Sequence, residues 1–232
     1  MKKKNLLIGL CALLFPVGGM AQYTIYPVPQ QQEAGNGTAR FTERVTVVCG
    51  EGIDSYTRDR AEQILKDHGL AAVFADVPSE GSANLFLGIN GSADAADAQV
   101  TALGLDRSVL TKDGKYDRHI LSLTADAEGQ ASVVILGEHT DAAFYGLASL
   151  EQILDTGTEN LPCVTLNDYA DQKSRGIVEG YYGYPYSVSV KKDLMRFMMR
   201  HKMNTYLYGA KSDPYHSEKW KDAYPKSLTA EQ

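Results

Sequence analysis

Positive charge is scarce in this sequence: 23 lysines and arginines accompany 29 aspartates and glutamates, which leaves a net charge of -6 at pH 7. Nucleic acids and anionic membrane surfaces bind clustered cations, so this balance argues against both kinds of partner. Repeats, low-complexity stretches and phosphate-binding loops are also absent, and Gly88-Ile-Asn-Gly91 is a turn rather than a nucleotide motif. His201 and His216 lack partners at metal-ligand spacing, so we predict surface histidines and no metal site.

Long apolar runs are absent as well. The run from Leu6 to Val17 follows three lysines at positions 2–4, and about a dozen residues are too few to span a bilayer. With the small residues of Gly19-Met20-Ala21 it is typical of a signal peptide, so we expect residues 1–21 to be cleaved before Gln22. The protein is therefore predicted to be exported to the periplasm or the extracellular space. No lipid anchor is expected, since the residue directly after the predicted cleavage site is Gln22 and not a cysteine.

Cysteine is rare, and Cys11 is expected to leave with the signal peptide. Cys49 and Cys163 remain, each within an apolar run. They could form one disulfide in an oxidising compartment. They could equally be two small residues buried in strands, and the sequence leaves both interpretations open.

Residues 22–169 are predicted to form a separate domain of mixed α/β type, because about 150 residues suffice for one hydrophobic core. Strands are predicted where short apolar or alternating runs are bounded by turn residues. Helices are predicted where apolar residues recur at helical spacing. The predicted strands are 23–26, 45–49, 84–89, 118–124 and 132–136; the predicted helices are 56–68 and one capped by Asp141 that carries Phe144, Leu147, Leu150 and Leu154.

Residues 170–232 begin with two strand-like segments that end in polar, glycine-rich loops. Residues 175–179 read as a strand buried on both faces, Ser187 can cap an amphipathic helix, and residues 204–208 read as a second, parallel strand. Loops at the carboxyl ends of parallel strands carry the chemistry of (β/α)8 barrels. We therefore predict an α/β protein: an α+β amino-terminal domain followed by the first two strands of a TIM (β/α)8 barrel.

The loop after the first of these strands is rich in tyrosine, at positions 181, 182, 184 and 186. A tyrosine packs its flat face on a pyranose ring while its hydroxyl bonds to the sugar. An aromatic surface loop without a ligand is the alternative interpretation.

Two motifs here resemble glycoside hydrolase family 84, the β-N-acetylglucosaminidases that include bacterial O-GlcNAcases and hyaluronidase-like enzymes. They are Gly176-Ile-Val-Glu-Gly-Tyr-Tyr-Gly-Tyr-Pro-Tyr186 and Asn204-Thr-Tyr-Leu-Tyr-Gly-Ala-Lys-Ser-Asp213. The chain departs from the family pattern at Tyr181 (Phe), Tyr186 (Trp), Ala210 (Pro) and Ser212 (Asp), which affects fine substrate preference more than membership. Residues 22–169 are similar to the small domain that precedes the barrel in families 84 and 20, with a hexosaminidase domain-2-like fold.

The resemblance implies three substrate-binding residues: Gly180, Lys211 and Tyr182. The backbone of Gly180 and the ammonium of Lys211 are expected to bind hydroxyls of a terminal N-acetylglucosamine, and Tyr182 is expected to line the same pocket. Physical chemistry agrees, because glycine permits close approach and lysine donates up to three hydrogen bonds. Tyr182 packed between barrel loops for stability is the alternative. Glu179 is interpreted as a structural hydrogen-bonding residue.

The resemblance also implies substrate-assisted retaining catalysis through an oxazoline, by two adjacent aspartates and without metal or cofactor. No Asp-Asp dipeptide occurs in the sequence, so the pair is expected beyond Gln232, and we predict that this chain by itself is inactive. Asp213 and Asp222 are interpreted as solvated loop carboxylates. The expected partners are N-acetylglucosamine-containing glycans or glycoconjugates. A hyaluronidase-type enzyme that cleaves polysaccharide and a noncatalytic carbohydrate-binding module remain as alternatives.

Overall fold

The structure, a computed structural model, describes residues 23–180 and 185–209. The predicted signal peptide, Tyr182, Lys211, His216, Asp213 and Asp222 lie outside this part of the chain. The described elements, in chain order, are β1 Gln31–Ala39, β2 Arg44–Cys49, α1 Ser55–Asp67, β3 Ala71–Phe74, β4 Ala83–Ile89, α2 Ala95–Ala102, a 3₁₀ helix Ser108–Thr111, β5 Tyr116–Ala125, β6 Ala131–Gly137, α3 Thr140–Leu154, β7 Leu161–Ala170, β8 Gly176–Glu179, α4 Val188–Arg200 and β9 Thr205–Tyr208.

A mixed sheet of seven strands, in the order β1-β7-β5-β6-β4-β2-β3, forms the larger part of the molecule. Strands β3, β2, β4 and β6 run parallel to one another, whereas β5, β7 and β1 add antiparallel pairs. This arrangement confirms the mixed α/β class predicted for the amino-terminal region.

Both faces of the sheet are covered by helices, which explains why its central strands are apolar throughout. On one face, α1 and α3 contribute Ile64, Leu65, Leu147 and Leu150 to a core with Val47 of β2. On the other face, α2 and the 3₁₀ helix cover the sheet through a second apolar cluster, which contains Val48, Phe86, Val100, Leu110 and Ile120. No helix among residues 23–180 and 185–209 is long and apolar enough to cross a membrane.

Two expectations for the amino-terminal domain are wrong. Residues 23–26 do not form a strand, because the backbone N–H and carbonyl of Tyr26 are satisfied by the side-chain amide of Gln152, at 2.8 Å each. Asp141 does not cap α3; His139 does, since its Nδ1 accepts a hydrogen bond from the N–H of Ala142 at 3.2 Å.

Cys49 and Cys163 are both free thiols, so the disulfide alternative is wrong. Cys49 ends β2 and Cys163 lies in β7, with β4, β6 and β5 between these strands. At roughly 4.8 Å per strand the two backbones are on the order of 19 Å apart, far beyond the reach of a disulfide. Burial raises the pKa of each thiol.

A smaller parallel unit, β8-α4-β9, follows the sheet. Gly176 to Glu179 pair in register with Thr205 to Tyr208, and the hydroxyl of Ser187 accepts from the N–H of Val190 to cap α4, as predicted. The expectation that β8 is buried on both faces is wrong for the described residues, because Val178 is 66% exposed. Only β9 pairs with β8 among them.

Two ion pairs hold the amino ends of β8 and β9 against the larger sheet. Arg175 donates to the Oδ2 of Asp117 at 2.6 Å, and the buried ammonium of Lys202 lies 2.6 Å from the Oδ2 of Asp168. The side chain of Gln152 also donates to the carbonyl of Arg200 at the end of α4. Arg200 also pairs with Glu151 and Asp155. The small unit is therefore docked through residues at the starts of its strands and at the end of α4.

Candidate functional site

The predicted site lies at the carboxyl ends of β8 and β9, which meet at one edge because the strands are parallel. Gly180 directly follows β8 and is exposed, as a backbone that contacts a ligand must be. Gly209 follows β9 in the corresponding place. Tyr182 follows Gly180 by two residues in the sequence, and Lys211 follows Gly209 by two; both lie outside the described residues.

Glu179 is the best-defined side chain at this edge, although it is only 2% exposed. Its Oε1 accepts the backbone N–H of Tyr186 at 2.7 Å, its Oε2 accepts the hydroxyl of Tyr206, and Lys191 lies 3.4 Å away. This is the structural hydrogen-bonding role expected for Glu179. The carboxylate therefore links β8 with β9, with α4 and with the backbone of Tyr186.

The electrostatics of this cluster keep Glu179 ionised. Burial acts to raise the pKa of its carboxyl, but the Tyr206 hydroxyl, the Tyr186 N–H and Lys191 outweigh burial and hold that pKa below its usual value. Burial and the hydrogen bond to Glu179 together raise the pKa of Tyr206 to about 12. An ionised carboxylate with three partners has no proton to donate, so Glu179 is not a general acid.

Sequence reasoning missed Tyr206 and Lys191 as members of this cluster. The ammonium of Lys191 lies 4.1 Å from the centroid of the Tyr208 ring as well as near Glu179. Tyr206 lies two residues after Asn204 in the second motif, so the sequence could have indicated it by its residue type and position. The sequence could not indicate that β8 pairs in register with β9, because that pairing depends on the fold.

The histidine at the end of α4 is not arranged to bind a metal. The Nδ1 of His201 bonds to the carbonyl of Phe197 at 2.9 Å, and the two rings stack with centroids 4.1 Å apart. Across residues 23–180 and 185–209, no group of three potential metal ligands is found.

Two family models match separate regions of the chain. Residues 175–231 match the family described as beta-N-acetylglucosaminidase, and residues 22–169 match domain 2 of glycosyl hydrolase family 20. Protein O-GlcNAcase from Rattus norvegicus is 41% identical over 49 residues, which are 21% of this chain and 5% of that protein.

Solved structures match most of the chain. CpGH84D is 35% identical with a TM-score of 0.76, over 90% of this chain and 33% of that one. CpGH84B is 27% identical with a TM-score of 0.68, over the same shares. An exo-β-N-acetylglucosaminidase of family GH20 from Vibrio harveyi shares the fold, at 16% identity and a TM-score of 0.59, over 82% of this chain and 26% of that one. The chain thus spans about a third or less of each of these proteins.

Proposed function

We propose that this chain, which belongs to the glycosyl hydrolase family 20, domain 2, family through residues 22–169, is the amino-terminal part of a β-N-acetylglucosaminidase, the family that residues 175–231 match. The signal-peptide pattern of residues 1–21 supports the further proposal that this enzyme is exported. The longer enzyme removes terminal β-linked N-acetylglucosamine from glycans or glycoconjugates. The similarity to CpGH84D and CpGH84B, over 90% of the chain in each case, favours the family 84 branch.

One observation carries the proposal: β8 and β9 are parallel and deliver both sequence motifs to one edge. Gly180 and Gly209 begin the two loops there, and residues 175–231 match the beta-N-acetylglucosaminidase family. Chemistry at the carboxyl ends of strands is the arrangement that barrel enzymes use. The backbone of Gly180 and the side chains of Tyr182 and Lys211 would bind the hydroxyls and the ring face of the sugar.

The chemical step needs groups that these residues do not provide. Glycosidic cleavage requires a proton for the leaving oxygen and stabilisation of positive charge at the anomeric carbon. Glu179 is ionised and engaged, and a lysine charge would oppose the developing cation. Because the sequence contains no Asp-Asp dipeptide, we assign the acid pair, which orients the substrate acetamide and protonates the leaving group, to residues outside the present sequence.

A paired assay tests the assignment. The purified chain is compared with a longer protein that includes the next adjacent aspartates, using an aryl β-N-acetylglucosaminide. The longer protein should hydrolyse the substrate with saturation kinetics. The short chain should not exceed the background rate of hydrolysis, because positioning the sugar without the two acids does not lower the barrier to glycosidic cleavage. Saturable turnover by the short chain, insensitive to Lys211→Ala and free of host enzyme, would show that the catalytic groups were assigned to the wrong region.

Lys211 provides a second test, in the longer protein. Lys211→Ala should weaken binding of N-acetylglucosamine-type ligands by roughly 1 to 3 kcal/mol, as expected for a charge-assisted hydrogen bond. Lys173→Ala is the matched control, since Lys173 lies at the other end of β8, in the segment before it. Equal affinities of the two variants would remove Lys211 from the site.

A further inference from the structure

The dipeptide Asn-Gly occurs twice in the sequence, as Asn36-Gly37 in β1 and as Asn90-Gly91 at the end of β4. Asparagine is among the chemically labile residues, and a following glycine has no Cβ to hinder the approach of its nitrogen to the asparagine side chain. Both glycines have a φ of 81°, and a Cβ on either would meet nothing within 4 Å. The two pairs therefore differ in their surroundings. Neither lies at the β8-β9 edge, so their chemistry is independent of the function proposed above.

The first pair lies in a bulge of β1. Register pairing with β7 stops at position 34 and resumes at position 38, so residues 35–37 oppose Cys163 alone. Gly35 is the residue that faces β7, because a Cβ there would lie 2.8 Å from the Cβ of Cys163. Asn36 and Gly37 are then the extra residues, which a bulge leaves unpaired.

The side chain of Asn36 is free to rotate. Asn36 and Gly37 are both exposed, and within residues 23–180 and 185–209 the side-chain amide of Asn36 makes no hydrogen bond. Ring closure between this side chain and the next backbone nitrogen requires rotation of the Asn36 side chain and backbone. At this position neither a side-chain contact nor register pairing opposes that rotation.

The second pair is held by hydrogen bonds. The Oδ1 of Asn90 accepts from the Nη1 of Arg107 at 2.9 Å, and the N–H of Asn90 donates to the carbonyl of Gly137 at 2.9 Å. The N–H of Gly91 bonds to the carboxylate of Asp97. A negative charge beside this N–H opposes the loss of its proton, because the resulting anion would face a like charge.

We propose that Asn36 is a site of spontaneous deamidation, and that the fold protects Asn90 from the same reaction. The Gly37 nitrogen loses its proton to hydroxide and forms a bond to the Cγ of Asn36. The Cγ–Nδ2 bond then breaks, and the amide leaves as ammonia after taking a proton from solvent. Water opens the cyclic imide at Cγ to give aspartate, or at the main-chain carbonyl to give isoaspartate. One water is consumed and one ammonia is released, with no change of oxidation state.

The product adds a negative charge to β1, and isoaspartate also adds a methylene group to the main chain. Because Asn36 lies in the bulge, neither change falls on a residue that pairs with β7. The ladder on both sides of the bulge should therefore persist in the modified chain.

Peptide mapping by mass spectrometry tests the proposal, with the purified chain incubated at neutral and at alkaline pH. In the folded chain the acid form should accumulate at Asn36 at least about tenfold faster than at Asn90, the factor that corresponds to one hydrogen bond to a charged group. The rate at Asn36 should rise with pH, since the attacking nitrogen must lose its proton. In the chain unfolded in guanidinium chloride the two rates should converge, because only the fold distinguishes the pairs.

Asn36→Gln is the matched variant. It keeps an exposed amide, but the longer side chain would have to close a larger ring, so acid formation in this peptide should be lost while the fold is retained. Undiminished acid formation in that variant would place the reaction at another residue and contradict the proposal.

The comparison of rates can overturn the proposal in two further ways. Equal rates at Asn36 and Asn90 in the folded chain would mean that the bulge protects the first pair as well as the Asp97 carboxylate protects the second. A rate difference that persists unchanged in the unfolded chain would assign the reactivity to the flanking sequence rather than to the bulge.

Discussion

Lys202 combines a buried ammonium with a left-handed backbone. The residue is 6% exposed, its φ is 56°, and its charge is held by Asp168. A non-glycine residue keeps such a conformation only where its surroundings fix it. Asp117, which holds Arg175 at the same junction, has a φ of 54°. For Lys202 the end of α4 fixes this backbone, because the N–H groups of Lys202 and Met203 bond to the carbonyls of Met199 and Met198.

Removal of the Lys202 charge alone should weaken the docking of the β8-α4-β9 unit more than removal of the Lys202 and Asp168 charges together. Lys202→Met leaves Asp168 buried and uncompensated, which costs about 3 to 5 kcal/mol. Adding Asp168→Asn should recover much of that loss, because an amide oxygen can still accept from the N–H of Tyr169. Hydrogen exchange of β7 and β9 amides measures the change, with Lys66→Met, at an exposed lysine of α1, as the control. A double variant no better protected than Lys202→Met would contradict the prediction.

His119 should become protonated only at lower pH than an ordinary histidine. Burial, followed by the charge of Lys202, lowers its pKa, and the attraction of Asp168 does not compensate. Because the folded pKa lies below the unfolded one, the contribution of His119 to stability is present above the unfolded pKa of about 6.5 and is lost as pH falls through the window below it.

NMR titration of the His119 ring should give a lower midpoint in the folded chain than in the same chain unfolded in urea. The unfolded chain serves as the internal reference. A folded midpoint equal to the unfolded one, or above it, would mean that Asp168 rather than burial dominates the environment of this ring.

At the scale of single elements, the pairing of β8 with β9 depends on a glycine. A Cβ on Gly176 would lie 1.5 Å from the carbonyl oxygen of Thr205, and both groups are fixed in the ladder. Gly176→Ala should therefore open the two-strand pairing, since no side-chain rotation relieves a clash with backbone. Val178→Ala on the same strand is the control, because its side chain is exposed. Faster exchange of β9 amides in Gly176→Ala alone is expected, and equal exchange in both variants would contradict it.

The same scale shows what the sequence could and could not predict. Strands β2, β4, β5 and β6, and helices α1 and α4, were predictable because each is apolar or amphipathic by itself. Strand β1 was not, since its polar residues are mostly exposed and only an antiparallel partner, β7, makes them a strand. The sequence also identified Gly180 and Glu179 by their positions in the first motif. The contacts of Glu179 with Tyr206 and Lys191 were not, because three separate elements bring them together.

For the whole molecule, burial is unevenly divided between the sheet and the small unit. Every residue of both apolar clusters lies between Tyr23 and Tyr169. In β8 and β9, by contrast, Val178 is 66% exposed and Leu207 is 56% exposed. Stability in a protein follows buried apolar contact, and regions with little of it open locally. The seven-stranded sheet should therefore be the stable part of this chain.

Hydrogen exchange of the chain should show slow amides in β4 and β6 and amides at least about a hundredfold faster in β8 and β9, given that about 1.4 kcal/mol of opening free energy changes the exchange rate tenfold. The ion pairs that dock the unit act at the amino ends of β8 and β9 and at the end of α4, so they restrain the unit without covering the exposed faces of its strands. Lys202→Met should then raise the rates in β9 and leave β4 unchanged. Equal protection of the sheet and the small unit would show that docking alone stabilises β8 and β9, and that their exposed faces cost the fold little.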